Sequence, residues 1–262
     1  MTIKMNLLQQ NKRNKGVSDV VSWILVFAVI ASGVALIFTF GATELNQAQL
    51  QEQDNNIERA LVIFYSNNSN VVEDIAPSRS TEIDLYDSEI QIVENTTRAR
   101  YSVPSEDIQF TNVSDTVKIE SGSADFQYEM HSIHRTNTQQ SQQPFYVREP
   151  NIVQYSEDSD AIRLQMVSLD NIGSTSGVQG GIRSIETNTI DRDVERIETT
   201  EQTRVRLEFE NETNLEAQLL EKHLEQQDGI EGCSVTENRV SCMTESVTQI
   251  TISQVNIGIR II

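Results

Sequence analysis

Lysine is almost missing from most of this chain, because only Lys118 and Lys222 follow residue 15. Four of the 20 basic residues and one of the 39 acidic residues precede Glu44, so the remainder carries 16 basic and 38 acidic side chains, a net charge of −22. This balance argues against nucleic acid as a partner, since phosphate contacts depend on Lys and Arg. The shortage of lysine and the excess of carboxylates favour a halophilic protein over an acidic mesophilic one. In molar salt the Debye length is about 3 Å, so repulsion among the carboxylates is screened.

The chain also lacks the short motifs that indicate common enzyme classes, such as Gly-x-Ser-x-Gly, His-Glu-x-x-His, Cys-x-x-Cys or a dinucleotide fingerprint. Histidine occurs three times. His131 and His134 are three residues apart in a strand-like segment, so they are expected on opposite faces, and His223 lies on a predicted helix. Each is interpreted as structural or solvated. We therefore predict no enzyme, no catalytic residue, no cofactor and no metal.

Cysteine occurs only twice, in the stretch CSVTENRVSC. A hairpin that pairs Cys233 with Cys242 has Glu237-Asn238 as its two-residue turn. Outside the cytoplasm these two cysteines are expected to form a disulfide. Closing so small a loop contributes about 2–3 kcal/mol on the chain-entropy estimate. The alternative is a pair of buried thiols.

Charge is absent altogether from Val20 to Thr43. As a helix these residues span about 36 Å, enough for the roughly 30 Å core of a bilayer. The run is too long for a cleaved secretory signal, whose apolar part has about 7–15 residues. Four basic residues precede the run, so the N-terminus is predicted to be cytoplasmic and residues 44–262 extracellular.

The junction before this run is Lys15-Gly16-Val17-Ser18-Asp19, a short basic leader that meets glycine directly before the apolar helix. It resembles the class III signal of archaeal, including haloarchaeal, type IV pilin-like surface proteins. The resemblance, which covers about residues 12–43, implies that a prepilin-type peptidase cuts between Gly16 and Val17. It also implies that the retained helix can pack against other pilin-like subunits.

One position departs from the bacterial pilin pattern, since Val21 stands where bacterial pilins carry a glutamate five residues into the mature helix. Archaeal versions commonly lack this glutamate, so the departure bears on filament assembly more than on cleavage. An uncleaved single-span anchor with an accidental Lys-Gly pair is the alternative.

Beyond the apolar run the pattern predicts an α+β protein with an antiparallel β-rich, sandwich-like head. We divide the chain into a leader (1–16), an N-terminal helix (17–66, with its membrane span at 20–43 and an amphipathic extension at 44–66) and the head (67–262). Period-two alternation predicts strands in the segments 82–86, 89–93, 99–103, 116–119, 126–130, 161–169 and 204–210.

The rest of the head is read from local signals. Thr213-x-x-Glu216 is a capping box that opens a helix with Leu215, Leu219, Leu220 and Leu224 on its apolar face. The segment 170–181 is expected to be a loop. A central strand from Val247 to Ile262 changes its apolar phase, which predicts a bulge near Ser253-Gln254.

Four Asn-x-Ser/Thr sequons begin at Asn67, Asn95, Asn112 and Asn211. All lie on the predicted extracellular side, so glycosylation is possible at each.

These features favour a pilin-like or pseudopilin-like structural protein of the cell surface, whose head serves adhesion or scaffolding. A single-pass surface binding protein that never assembles is the alternative. A tethered extracellular enzyme is a remote third hypothesis, with no motif to support it.

Overall fold

A single long helix begins the described part of the chain. The computed structural model describes residues 3–138, 143–173 and 177–262. Helix α1 covers Ile3–Val72, and contacts divide the chain into two units, residues 1–50 and 51–262. The helix does not end near Ser66 as predicted. The polar side chains of Ser69 and Asn70 donate to carbonyls four residues earlier, at 3.0 Å each, so they continue the helix instead of breaking it.

The second unit is rich in β-structure, and its described residues contain one more helix, α2 (Asn214–Leu224). Its strands are β1 (Ser78–Asp84), β2 (Glu89–Val103), β3 (Ile108–Glu120), β4 (Ala124–Glu129), β5 (Ser132–Asn137), β6 (Pro144–Arg148), β7 (Val153–Ser156), β8 (Ala161–Asn171), β9 (Gly177–Gln179), β10 (Ile182–Thr203), β11 (Arg206–Glu210), β12 (Ile230–Thr236), β13 (Arg239–Thr244) and β14 (Val247–Ile261).

Two sheets contain these strands. One has the order β1-β10-β14-β8-β7, and the other has the order β12-β13-β11-β2-β3-β4-β5-β6 with β9 paired to β2. The α+β class is therefore confirmed. Among the residues that the structure describes, the pairing is antiparallel with one exception: β8 and β14 run parallel, which the prediction of an antiparallel domain missed.

Several segments where no strand was predicted form strands, among them β6, β7, β9 and β10. The longest strand, β10, was not predicted because charged residues interrupt its alternation of apolar and polar side chains. Among its residues after Asn188, Ile197 is the only large apolar residue whose side chain is buried. The predicted loop at 170–181 contains β9, which pairs with β2. Residues 174–176 of that loop lie outside the described residues.

Strand β14 lies in the centre of its sheet as predicted, but the predicted bulge near Ser253-Gln254 is wrong. Its register with β8 is unbroken from Gln249 to Ile259. Ile252 and Val255 are three residues apart, so they face opposite sides of the sheet. The phase changes because each side of the sheet packs against a different hydrophobic core.

Polar side chains connect the two sheets where those cores meet. Asn112 donates from Nδ2 to Ser168 Oγ and to Asn256 Oδ1, both at 2.9 Å. Asp115 accepts from the backbone nitrogens of Asn95 and Asn171, at 2.9 and 2.7 Å. These bonds satisfy polar groups between the cores and fix how the strands cross.

Within the second unit, helix α1 is attached to the sheet by an apolar face and an ion pair. Ile57, Leu61 and Phe64 are buried, as the predicted amphipathic extension requires. Buried Asp54 lies 3.3 Å from the guanidinium of Arg135 and accepts hydrogen bonds from Ser121 and Ser123. A buried carboxylate is tolerated only with such partners, so the register of the helix on the sheet is strongly specified.

Candidate functional site

The apolar part of α1 is the first candidate site. Side chains from Val20 to Thr43 are exposed with the exception of half-buried Gly33, and Trp23 and Phe38 reach 77% and 75% exposure. The stretch is long and apolar enough to cross a membrane. An exposed apolar surface of this extent requires lipid or other apolar helices around it. It is therefore a candidate membrane anchor.

The predicted processing site lies at the start of the same helix. Gly16 and Val17 fall within the backbone range of α1. The side chains of Lys15 and Val17 lie outside the described residues. Cleavage between Gly16 and Val17 therefore stays a prediction.

A second candidate site is a buried polar network built on the hairpin of β4 and β5. Its turn residues Met130 and His131 both have positive φ, 43° and 56°, as a type I′ turn requires. Histidine tolerates this conformation better than methionine does, so the turn carries backbone strain at Met130 that its surroundings must hold.

Contacts of His131 provide that hold. The imidazole Nδ1 lies 3.0 Å from the Tyr128 hydroxyl, and Nε2 lies 3.1 Å from Ser69 Oγ on α1. The ring of Tyr65, also on α1, stacks on the imidazole with centroids 4.4 Å apart. Burial lowers the pKa of His131 to about 4, so the ring is neutral at neutral pH. This contact attaches the strained turn to α1.

The same hairpin carries Glu129 and His134, which meet Glu216 of α2 in the interior. His134 Nδ1 lies 4.0 Å from Glu129 Oε1, and its Nε2 lies 3.5 Å from Glu216 Oε1. Glu129 Oε2 accepts hydrogen bonds from the hydroxyls of Thr97 and Thr116 at 2.6 and 3.1 Å. One histidine is thus flanked by two carboxylates from different elements.

The two carboxylates differ in pKa. Burial raises the pKa of Glu129, and the opposing influence of His134 does not overcome this effect. Burial also acts to raise the pKa of Glu216, but His134 and hydrogen bonds from Thr213 outweigh it and hold that pKa below its usual value. Glu216 is therefore the member of the pair that stays ionised more readily.

Glu216 has a second role at the start of α2. Its Oε2 accepts from the Thr213 backbone nitrogen at 2.9 Å, while the Thr213 hydroxyl accepts from the Glu216 nitrogen at 3.2 Å. The predicted capping box is thus confirmed. The predicted apolar face is partly wrong, because Leu215 is exposed and the buried face contains Glu216 and His223 among its apolar neighbours.

His223 is buried as well and joins α2 to the chain after β6. Its Nε2 lies 3.0 Å from the Pro150 carbonyl, and its Nδ1 lies 3.7 Å from a carboxylate oxygen of Glu149. Tyr146 lies between His223 and His134, with ring centroids 5.5 and 6.5 Å away.

The chemistry of this network is structural in the conformation described. Glu129, His134 and Glu216 are 3%, 2% and 6% exposed, so a substrate does not reach them. Among the described residues no group of three or more His, Cys, Asp or Glu side chains is arranged to hold a metal ion. The network instead connects α1, the strained hairpin and α2. Sequence reasoning missed it, although the helical spacing of Glu216, Leu220 and His223 could have indicated one shared face.

The disulfide is present, between Cys233 of β12 and Cys242 of β13. The register around it is the predicted one, with Ser234 opposite Ser241 and Val235 opposite Val240. Cys242 is buried in a hydrophobic core, so the bond joins the hairpin to the interior.

The four sequons differ in their surroundings. Asn95 is exposed in a turn-like bulge of β2, with φ of 56°. Asn211 is buried, at 2% exposure. Asn67 and Asn112 are half-buried, and each donates its side-chain amide to a partner, Asn67 to Thr81 Oγ1 at 2.8 Å. Only Asn95 therefore offers its amide to a modifying enzyme without local opening.

Comparison with known proteins completes this description. None of the curated proteins matches the chain. Among solved structures, the crystal structure of the ywiB protein from Bacillus subtilis shares 9% identity, covering 69% of this chain and 97% of that one. Its TM-score of 0.15 carries no argument about fold or function. Residues 15–260 match a family described as a family of unknown function, DUF7289. The chain therefore belongs to that family.

Proposed function

We propose that this protein is a type IV pilin-like or pseudopilin-like structural protein of the cell surface. Residues 20–43 anchor it in the membrane, and the acidic β-rich head lies outside, where it serves adhesion or scaffolding. The observation that carries the proposal is the apolar, charge-free and solvent-exposed stretch of α1. Such a surface is suited to lipid before assembly and to neighbouring helices afterwards.

The head supports a structural role. Its buried ionisable groups are held by named partners in the interior, and substrate has no access to them. Its cross-strand disulfide suits an oxidising compartment, which agrees with an extracellular position. Four basic residues precede the span, whereas the first basic residue after it is Arg59, and this bias favours the same orientation.

The N-terminus of the mature protein is the test. The protein is isolated from its native membrane, and its terminal peptide is identified by mass spectrometry. A start at Val17 supports the pilin-like proposal. A start at Met1 or Thr2 contradicts processing and favours a single-pass surface protein that does not assemble.

A matched variant sharpens this test. Gly16→Val keeps the basic leader and the apolar run but removes the residue after which the peptidase is expected to cut. We expect this variant to retain its leader while still entering the membrane. Identical N-termini in the variant and the wild type would refute recognition at Gly16.

A further inference from the structure

One face of the larger sheet concentrates positive charge on an otherwise acidic head. Side chains of Arg98, Arg100 and Arg239 converge on a groove over β2, β11, β13 and β12. Glu208 and Glu210 lie between them, so the groove carries one net positive charge, whereas residues 44–262 carry −22. The remaining polar side chains of the groove are the hydroxyls of Ser234, Thr236 and Ser241.

The register of the strands explains the arrangement. Arg98, Glu210, Arg239 and Thr236 lie in one row across four strands. The next row contains Arg100, Glu208, Ser241 and Ser234. Neighbouring strands are about 4.8 Å apart, so Arg98 and Arg239 stand about 10 Å from each other. The position between them is already occupied by the Glu210 carboxylate, so an added small anion cannot bridge both arginines, whereas a polymer with repeated anionic groups can contact each of them.

The arginines retain hydrogen-bonding capacity. Arg98 lies 3.8 Å from Glu210, Arg100 lies 3.6 Å from Glu208, and Arg239 lies 3.3 Å from Glu210. These separations exceed the roughly 2.7–2.9 Å of a strong charge-assisted bond, and each guanidinium has five donors. The three side chains are 53%, 44% and 69% exposed. Carboxylates of a ligand can therefore accept hydrogen bonds from the guanidinium groups without displacing Glu208 and Glu210.

The surroundings favour a sugar polymer over a protein. Among the described residues that line this groove, none is an exposed large hydrophobic side chain. Protein interfaces usually centre on aromatic or aliphatic anchors. Serine and threonine hydroxyls beside guanidinium groups can instead hydrogen-bond to sugar hydroxyls and carboxylates together.

We propose that this groove binds a carboxylate-bearing polysaccharide, such as a uronic acid polymer at the cell surface. The biological setting rests on the proposed extracellular position of the head. The binding itself concerns the head alone and is independent of cleavage at Gly16, so failure of one proposal is distinguishable from failure of the other.

Binding by the full-length protein in detergent micelles tests the proposal, with polygalacturonate as the probe and dextran of matched length as the neutral control. The groove variant is Arg98→Gln, Arg100→Gln and Arg239→Gln together. The control variant is Arg79→Gln, Arg183→Gln and Arg260→Gln, which removes the same charge from the other sheet. Thermal melting of both variants near the wild-type temperature establishes that they are folded.

We expect polygalacturonate to bind and dextran not to, with the groove variant weaker by about tenfold or more and the control variant changed by no more than about twofold. Equal losses in the two variants would assign binding to overall charge and overturn the proposal, as would absence of polygalacturonate binding. If the wild type and the control variant self-associate with rising concentration and the groove variant does not, the groove binds a second copy of the protein. That result would also overturn the polysaccharide proposal.

Discussion

Removing the buried imidazole of His131 is expected to change how the free energy of unfolding depends on pH. His131 has a pKa of about 4 in the folded protein against about 6.5 in an unfolded chain. The folded state therefore binds fewer protons between these values, and its stability falls as pH drops through that window. The difference between the two pKa values corresponds to about 3 kcal/mol of unfolding free energy, which is lost in full below pH 4. Above pH 6.5 the histidine costs nothing.

The variant His131→Asn removes this titration. Asparagine tolerates the left-handed backbone conformation at this position, so the turn itself can form. The variant loses the stacking on Tyr65, and we expect lower stability than the wild type at pH 7.5. Its stability should nevertheless fall less on acidification, by about 2.5 kcal/mol less between pH 7.5 and 4.5.

Urea unfolding followed by circular dichroism at pH 7.5, 6.0 and 4.5 measures the difference. Burial raises the pKa of Glu129, and His134 helps to hold the pKa of Glu216 below its usual value, but both effects are present in both proteins, so the comparison isolates His131. Met130→Gly is the matched control, because it alters the same turn and leaves the histidine in place. Parallel pH profiles for the wild type and His131→Asn would refute the assignment of a neutral buried imidazole.

Three further predictions concern the head. Replacing Cys233 and Cys242 by serine should cost about 2–3 kcal/mol of unfolding free energy, measured by urea denaturation, and reductant should have the same effect on the wild type but none on the variant. In a glycosylating host, Asn95→Gln should lower the mass of the protein by one glycan, whereas Asn211→Gln should leave the glycan mass unchanged. Equal losses of mass in the two variants would contradict the burial of Asn211. Lowering salt from about 2 M to about 0.1 M should lower the melting temperature, since screening of a net charge of −22 weakens, and an unchanged melting temperature would count against a halophilic protein.

Local signals predicted much of the architecture. The capping box at Thr213 and the cross-strand cysteines specify their structures through neighbouring residues alone, so one sequence suffices to find them. The apolar run at 20–43 is equally local. By contrast, β10 contains few buried apolar side chains, and its pairing with β14 depends on residues more than 40 positions away. The local alternation of apolar and polar residues does not predict which distant strand a segment pairs with.

The buried network shows the same limit more sharply. His131 and His134 were expected in one strand on opposite faces, yet a strained turn separates their environments and gives each a different set of partners. The turn contains neither asparagine nor glycine, so turn chemistry did not reveal it. Contacts with Ser69 and Glu216, both more than 60 residues away, hold the two histidines in place, and only the folded chain brings them together.

Two populations of acidic residues follow from this structure, and they should respond to different conditions. Surface carboxylates interact through solvent, so salt screens their repulsion. Buried Glu129 and Glu216 interact with fixed partners at close range, where salt has little access and protonation decides the outcome. Salt should therefore shift the stability of the whole head, whereas acid should act at the junctions of α1 and α2 with the sheet. Combining high salt with low pH separates the two, because screening cannot restore contacts that a buried proton has altered.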